Sequence, residues 1–403
     1  MLNPSAICLS IRFVRGAGDA PGTEAAALAL IERLRPTRIE WSYITDREVI
    51  ARFKQTAPTF VAALNTIAPP GHAELFEGTP IIAPWMTRFG RPDARVPYIC
   101  QNNPEDLRVR IAQAVALIAD GTADTFQFDD WYGNAQMLSF GQPCFCEHCQ
   151  REFALYLGID LNYRAYLRGR GFTHTAEILE AVKAEAVPLW EDYRRFQRQT
   201  VTRFFRRLRG AMDQALARPA ELSVNGSVLH FGGDLNAVRP FISYLNGETP
   251  DFTPAGLLKL AEASRAQNLP QVVSFFPDVP AAAYHDAAFV GRVNQAIALC
   301  YCLGLLPLFP YDVYAGNEPD GALKARWYGT YEEYAAPYET VRAHPEWFTD
   351  YAYDAVRIEA DAVTVVCRHR EDAARALTHC LDAQGQWQTT AMPARDATAH
   401  IDR

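Results

Sequence analysis

Two adjacent aspartates and three closely spaced cysteines share one stretch, FQFDDWYGNAQMLSFGQPCFCEHC, between Phe126 and Cys149. Cys144, Cys146 and Cys149 form a C-x-C-x-x-C set, a spacing that lets three thiolates converge on one tetrahedral ion while the loop wraps around it. A fourth donor is needed. Cys100, in VPYICQNNPEDL, is the first candidate, and His148, placed between two of the other ligands, is the alternative. A set of this kind predicts a structural Zn2+, because four protein ligands leave no open position for water or substrate. The competing readings are free loop thiols or a redox pair. Cys8, Cys300 and Cys302 lie in apolar runs and are expected in the core.

The aspartates suggest different chemistry. In DTFQFDDW a period of two puts Gln127 and Asp129 on one face and Phe126, Phe128 and Asp130 on the other. Asp129 is then aimed into a pocket, with Asp130 at its rim as a substrate ligand, a helix cap or a support for Asp129. A second carboxyl, Glu248 in SYLNGETP, follows Asn246 on the same face. Two carboxyls across a pocket mouth are what glycosidic cleavage needs: one protonates the leaving oxygen, the other attacks the anomeric carbon or activates water. Glu40, in RIEWSY, lies deeper and is expected in an internal ion pair, with Arg12 as partner. Further substrate contacts are expected from Arg12, Trp41, Tyr43, Asn65, Trp85, Trp131, Asn225, Asn246, Phe276, Tyr311 and Asp312, the aromatics as platforms for the apolar faces of sugar rings. Tyr98 and Tyr132 add to that aromatic set.

The elements that must position these residues are legible as short apolar runs separated by helical stretches. Eight are found: AICLSIRF (6–13), RIEWSY (38–43), FVAALNT (60–66), DTFQFDDW (124–131), ELSVNGS (221–227), FISYLNGE (241–248), PQVVSFFP (270–277) and LLPLFPYD (305–312). Most end in polar or aromatic residues, and in a (β/α)8 barrel the C-terminal strand ends form the active face. The expected fold is therefore a (β/α)8 TIM barrel over residues 1–350, in preference to a doubly wound sheet. Residues 67–123 and 132–185 are too long for simple connections and predict long loops after strands three and four. From Pro188, the series Trp190, Tyr193, Phe196, Phe204, Leu208 and Met212 has helical spacing. After Tyr351 the segments AVRIEA, AVTVVCRHR, ARALTHC and QWQTT alternate as strands, predicting a small C-terminal β appendage over 351–403.

Composition narrows the function classes. The chain has 403 residues and a net charge of −8, with its arginines interleaved among apolar positions, so nucleic acid is not an expected partner. The longest apolar run, Ile297 to Pro310, is broken by Gly304 and Pro307 and is too short to cross a bilayer. MLNPSAICLSIRF lacks the layout of a secretion signal, and with nine cysteines the expectation is a cytoplasmic protein, to which a homo-oligomer is open.

The stretch CFCEHCQREFALYLG resembles the C-Y-C-x-x-C-x-x-x-F segment of glycoside hydrolase family 42 β-galactosidases and of the group named hypothetical glycosyl hydrolase 6. YICQNNPEDLR, TFQFDDW, FPYDVYAGNEP and RWYGTYEEYAAPYETVR are similar to the latter group, so the resemblance runs from about residue 95 to 345. It implies a structural zinc on Cys100, Cys144, Cys146 and Cys149. It also implies a glycosidase barrel, but the family 42 catalytic positions read Asp129-Asp130 and SFFPD here, so that catalytic pair does not carry over. An aspartate on strand four with an acid on strand six is instead similar to the α-galactosidase-like barrels, which would make Asp129 the nucleophile and Glu248 the acid/base. The resulting expectation is a retaining glycoside hydrolase acting on a small oligosaccharide or glycoside. The rivals are a non-hydrolytic carbohydrate-binding barrel and a zinc-dependent hydrolase.

Overall fold

Each of the eight apolar runs becomes a strand. In the computed structural model, β1 (Cys8–Ser10), β2 (Arg38–Ser42), β3 (Thr59–Leu64), β4 (Thr125–Phe128), β5 (Leu222–Asn225), β6 (Tyr244–Thr249), β7 (Gln271–Phe275) and β8 (Leu306–Phe309) close in sequence order into one barrel. All neighbouring pairs are parallel, and β8 returns to β1 with Leu308 opposite Cys8. Closure excludes the doubly wound sheet, which keeps two edges. The structure describes residues 2–11, 21–67, 70–83, 97–216, 220–229, 234–277, 279–315 and 325–394.

Strand parity sorts the side chains. On β4, Phe128 turns outward and meets Phe204 and Phe205 edge-on, with ring centroids 5.0 and 5.8 Å away. Those rings belong to the helix Trp190–Ala215, whose buried residues include Trp190, Tyr193, Phe196, Leu208 and Met212, the stripe read from the sequence. Inside the barrel the filling is polar. Arg38 and Glu40 share a face of β2, and Arg38 Nε donates to Glu40 Oε1 at 2.7 Å and Nη2 to Glu221 Oε2 at 3.0 Å. Glu40 Oε2 also accepts from the Tyr244 hydroxyl at 2.8 Å and from Asn246 Nδ2 at 3.4 Å. The ion pair expected for Glu40 therefore exists, but its partner is Arg38. Arg12 lies outside the described residues.

The connections after β3 and β4 are long. The first ends in the helix Pro104–Ala119, started by Asn103, whose side chain accepts from the Glu105 amide at 2.9 Å, with a proline in the first turn. The second carries the helices Gly133–Ser139, Glu147–Leu157, Tyr163–Arg168 and Thr175–Lys183 before Trp190–Ala215. These enclose a second core, in which Phe145 stacks on Tyr193 at 5.2 Å and Phe153 meets Tyr193 edge-on at 4.9 Å. After β8, β9 (Val313–Ala315) pairs with β10 (Ala325–Trp327). The chain ends in an antiparallel sheet of β11 (Tyr351–Ile358), β12 (Ala362–His369), β13 (Arg375–Asp382) and β14 (Trp387–Pro393). It docks on the helix Ala287–Cys302, where Gln295 Nε2 donates to the carbonyls of Leu381 and Asp382 at 3.4 and 2.9 Å. Among the described residues no helix is long and apolar enough to cross a membrane.

Two predictions follow from buried charge. Glu40 has no exposed surface, and Glu40→Gln would leave Arg38 short of a counter-charge inside the barrel. Breaking a buried pair from one side costs about 3–5 kcal/mol, and the second carboxylate on Arg38 favours the lower figure. Urea unfolding of the variant should show a loss of that size; a loss within error of zero would mean that the pair carries no stability.

The second concerns His379, buried between Trp347, Phe348 and Trp387. Burial pushes its imidazole down from 6.5 to about 4. Between those values the unfolded chain binds a proton that the folded chain refuses, so stability is full above the upper value and falls as pH approaches the lower. The loss should reach about 3 kcal/mol. In thermal melts across pH 4 to 7, His379→Gln should flatten that part of the curve.

Candidate active site

The chain leaves β4 at Asp129, whose amide still donates to the Leu64 carbonyl at 2.6 Å, so the residue keeps its inward parity. Asp129 Oδ1 accepts from Asn225 Nδ2 at 2.6 Å and from the Asp130 amide at 2.8 Å, while Oδ2 accepts from the Tyr43 hydroxyl. Three donors thus fix the carboxyl, and in all three contacts it only accepts. Each donor comes from a different place: the end of β2, the end of β5 and the turn that follows β4.

Tyr43 reaches Asp129 because β2 is irregular. The pairing with β3 shifts register between Ile39 and Ser42, and Trp41 takes a positive φ of 49°. For a bulky residue that backbone region is uncommon and costs energy, so the bulge must be held by its surroundings. Ser10 Oγ donates to the Trp41 carbonyl at 3.4 Å, Ser42 Oγ to the Ile11 carbonyl at 3.1 Å, and Trp41 Nε1 to the Tyr43 oxygen at 3.4 Å. The bulge re-aims Tyr43 toward β4.

Asp130 also has a positive φ, 50°, which aspartate tolerates better than most residues. Its carbonyl accepts from Thr66 Oγ1 at 3.1 Å and from the Tyr98 hydroxyl at 3.2 Å. Desolvation first, then the charges of Asp129 and Glu248, push the Asp130 carboxyl well above the usual carboxylate range. The third carboxyl therefore belongs to the same mouth. Glu248 arrives there on β6, beside a close crossing of strands: a Cβ on Gly247 would lie 2.4 Å from the Gly226 backbone, so only glycine fits before Glu248. Asn246, on the inward face of β6, hangs on Glu40 below.

The other expected contacts divide. Trp131 is buried and its Nε1 donates to the Asn225 carbonyl at 2.7 Å, joining the Asp129 group. Asn65 closes a local turn on the Ile67 amide at 3.1 Å. The backbone amide of Phe276 donates to the Thr249 carbonyl at 2.9 Å. At the end of β8, Tyr311 accepts from the Gly22 amide at 3.2 Å, and Asp312 is buried against Arg326, with Nε at 2.7 Å. Trp85, like Arg12, lies outside the described residues.

Cys100, Cys144, Cys146 and Cys149 are all buried, and their sulfurs lie within 4.8 Å of one another, close enough to hold a metal ion. The fourth member is Cys100; His148 instead faces Glu147, with Nε2 3.5 Å from its Oε1. Side-chain amides surround the sulfurs. Asn102 Nδ2 is 3.3 Å from Cys149 Sγ, Asn134 Nδ2 is 3.4 Å from Cys149 and 3.5 Å from Cys100, and Gln197 Nε2 is 3.6 Å from Cys149. Burial alone would raise Cys100, but hydrogen bonds from Cys144, Cys146, Cys149 and Asn134 carry it well below its ordinary value. Burial, with Cys100 beside it, pushes Cys144 well above. A divalent cation removes that conflict by letting every sulfur ionise, and N–H donors aimed at the sulfurs suit thiolate ligands. The residues fit a metal.

Sequence reading missed those amides, although Asn102 stands in the quoted YICQNN run and Asn134 follows the aspartates closely. They link cluster and mouth. The Gln101 amide donates to Asn134 Oδ1 at 3.1 Å, and Gln101 Nε2 to the Trp131 carbonyl at 3.3 Å. Gly133, at φ 48°, lies so close that a Cβ there would meet the Gln101 amide at 2.1 Å.

No protein-family model matches the chain, and no curated protein matches it in sequence. The family 42 resemblance therefore rests on the quoted residues. Solved structures do share the fold. A cycloisomaltooligosaccharide glucanotransferase from Paenibacillus sp., complexed with cycloisomaltoheptaose, aligns with TM-score 0.54 at 9% identity over 97% of this chain and 76% of that one. The β-galactosidase of the psychrophile Marinomonas ef1 aligns with TM-score 0.53 at 10% identity, over 85% of this chain and 59% of that one. A cold-adapted β-galactosidase from Rahnella sp. R3 gives 0.50 at 12%, over 89% and 58%. The chain spans less than two thirds of the length of either β-galactosidase. At these identities the likeness is one of fold.

The cysteine geometry predicts one tightly held metal ion per chain by elemental analysis. Stripping it with a chelator, or replacing Cys144 by Ser, should lower the melting temperature by ten degrees or more, on the order of several kcal/mol, since a structural ion contributes its binding energy to folding. An equally stable metal-free protein would rule out that role.

Proposed function

We propose that this chain is a retaining glycoside hydrolase with Asp129 as nucleophile and Glu248 as general acid/base. The observation that carries the reading is the clamp on Asp129. A carboxyl at the C-terminal end of β4 that accepts three hydrogen bonds is held in one orientation, ready to attack an anomeric carbon without reorganising. On this reading Glu248, two strands away, would protonate the leaving oxygen and then deprotonate water. Desolvation, with the charges of Asp129 and Glu248, pushes the Asp130 carboxyl well above the usual carboxylate range, which favours its neutral form beside the nucleophile. The structurally similar β-galactosidase and glucanotransferase lend support through the shared barrel alone.

The metal expected on the four cysteines is Zn2+, for which an all-sulfur tetrahedral set is typical. When bound it braces the loops after β3 and β4. The four ligands would fill its coordination sphere, so substrate and water stay with the carboxyls. The substrate class is a small oligosaccharide or glycoside.

A panel of nitrophenyl glycosides in both anomeric forms tests the reading. Asp129→Asn should abolish turnover with the circular dichroism unchanged, and Glu248→Gln should lower kcat by about 10²–10⁴-fold. With Asp129→Gly, azide should restore turnover and give a glycosyl azide of inverted configuration at the anomeric carbon. Undiminished turnover in Asp129→Asn would remove Asp129 from the reaction. Sugar binding by the wild type without any product would favour a non-hydrolytic barrel.

A further inference from the structure

The histidine that the metal cluster leaves aside faces a cleft of its own. Between the loop after β3 and the helices Glu147–Leu157 and Tyr163–Arg168 lies a cavity of about 430 Å3, with Cys146 of the metal cluster in one wall. The volume is in the range of small-ligand sites, roughly 300–1,000 Å3. None of the residues of the Asp129 mouth lines it.

Its walls are held from behind. Arg164 donates through Nε to the Phe76 carbonyl at 2.6 Å, and its Nη1 lies 3.6 Å from Glu74 Oε2. Arg168 stacks over the Phe76 ring at 5.7 Å. Gln150 is only 5% exposed, and its Oε1 accepts from the Arg164 amide at 2.7 Å. Only the oxygen of a side-chain amide can accept, so that bond fixes which end is Nε2. That Nε2 is buried and has no hydrogen-bond partner among the described residues. A buried donor left unmet is a cost that a ligand or bound water would remove.

The charge pattern selects the ligand. Arg164 and Arg168 are balanced by Glu74 and Glu147, so the cleft offers donors and acceptors without a net field for an anion. A lining that holds both donors and acceptors suits a neutral polyhydroxyl compound, whose hydroxyls both give and receive. We infer that this cleft is a second saccharide site, taking a neutral sugar unit away from the catalytic mouth. That the ligand is a sugar rests on the glycosidase reading above; that the cleft binds a neutral polyol does not.

The test uses the metal-loaded full chain carrying Asp129→Asn, alone and with Arg168→Met or Glu74→Gln. Arg168 is exposed and Glu74 partly so, and neither lies in either core. Lactose and maltoheptaose serve as neutral probes, with glucose 6-phosphate and inorganic phosphate as anionic ones. Calorimetry should find a neutral sugar bound, with hydrogen exchange slowed over residues 147–168. Each cleft variant should weaken that binding tenfold or more, yet in the wild-type background leave turnover of nitrophenyl glycosides within twofold. Protection confined to the Asp129 mouth, or tighter binding of either phosphate than of both sugars, overturns the proposal. Cleft binding in a wild-type protein that hydrolyses no glycoside would keep the cleft and discard the glycosidase reading.

Discussion

A charged pair buried inside the barrel ties together three of the strands that reach the mouth. Arg38 binds Glu40 and Glu221, and Glu40 in turn takes hydrogen bonds from Tyr244 and Asn246. The strands tied together are β2, β6 and the start of β5. Those same strands deliver Tyr43, Glu248 and Asn225. A purely apolar filling would pack as tightly but would tolerate small slides of one strand past another, whereas fixed donors and acceptors admit one register. The stability that such a pair contributes is modest because desolvation offsets much of the attraction. Its value here lies in geometry: two donors to Asp129 and the strand that carries Glu248 are tied to one network.

Outside the barrel, the cysteine set does for the loops what Arg38 and Glu40 do for the strands. Cys100 stands just before the helix Pro104–Ala119, and Cys146 and Cys149 open the helix Glu147–Leu157. An ion between them would join the connection after β3 to the connection after β4, two long segments with little regular pairing between them. From that junction, contacts run through Asn134 and Gln101 to Trp131, and through the Trp131 indole to Asn225, which holds Asp129. Loss of the ion would be felt at the mouth through loosened orientation, with no metal in contact with substrate.

The barrel was legible because its strands, buried on both faces, are short apolar runs bounded by polar ends. The four C-terminal strands were legible through alternation instead, their sheet being only partly buried. What escaped was geometry that no periodicity encodes. The bulge that turns Trp41 to positive φ shortens the reach from β2 to Asp129, yet RIEWSY reads as a regular strand. Arg38 could have been found: it stands two positions before Glu40, and period two places both on one face. The amides around the sulfurs escaped because asparagine and glutamine are ordinary loop residues until a thiolate lies beside them.

The paired aspartates are explained by two separate demands. After β4 the chain must turn sharply enough for the Trp131 indole to reach the Asn225 carbonyl, and the turn passes through a left-handed residue. Asparagine, aspartate and glycine enter that region at least cost. Glycine would leave the turn loose. Aspartate supplies the conformation, and desolvation, with the charges of Asp129 and Glu248, holds its carboxyl well above the usual carboxylate range. Asp129 is the reverse case. It is not among the residues of positive φ, faces three donors and has no backbone demand that only aspartate would meet. Of two identical neighbours, the turn accounts for Asp130, and only the clamp from Tyr43, Asn225 and the Asp130 amide accounts for Asp129.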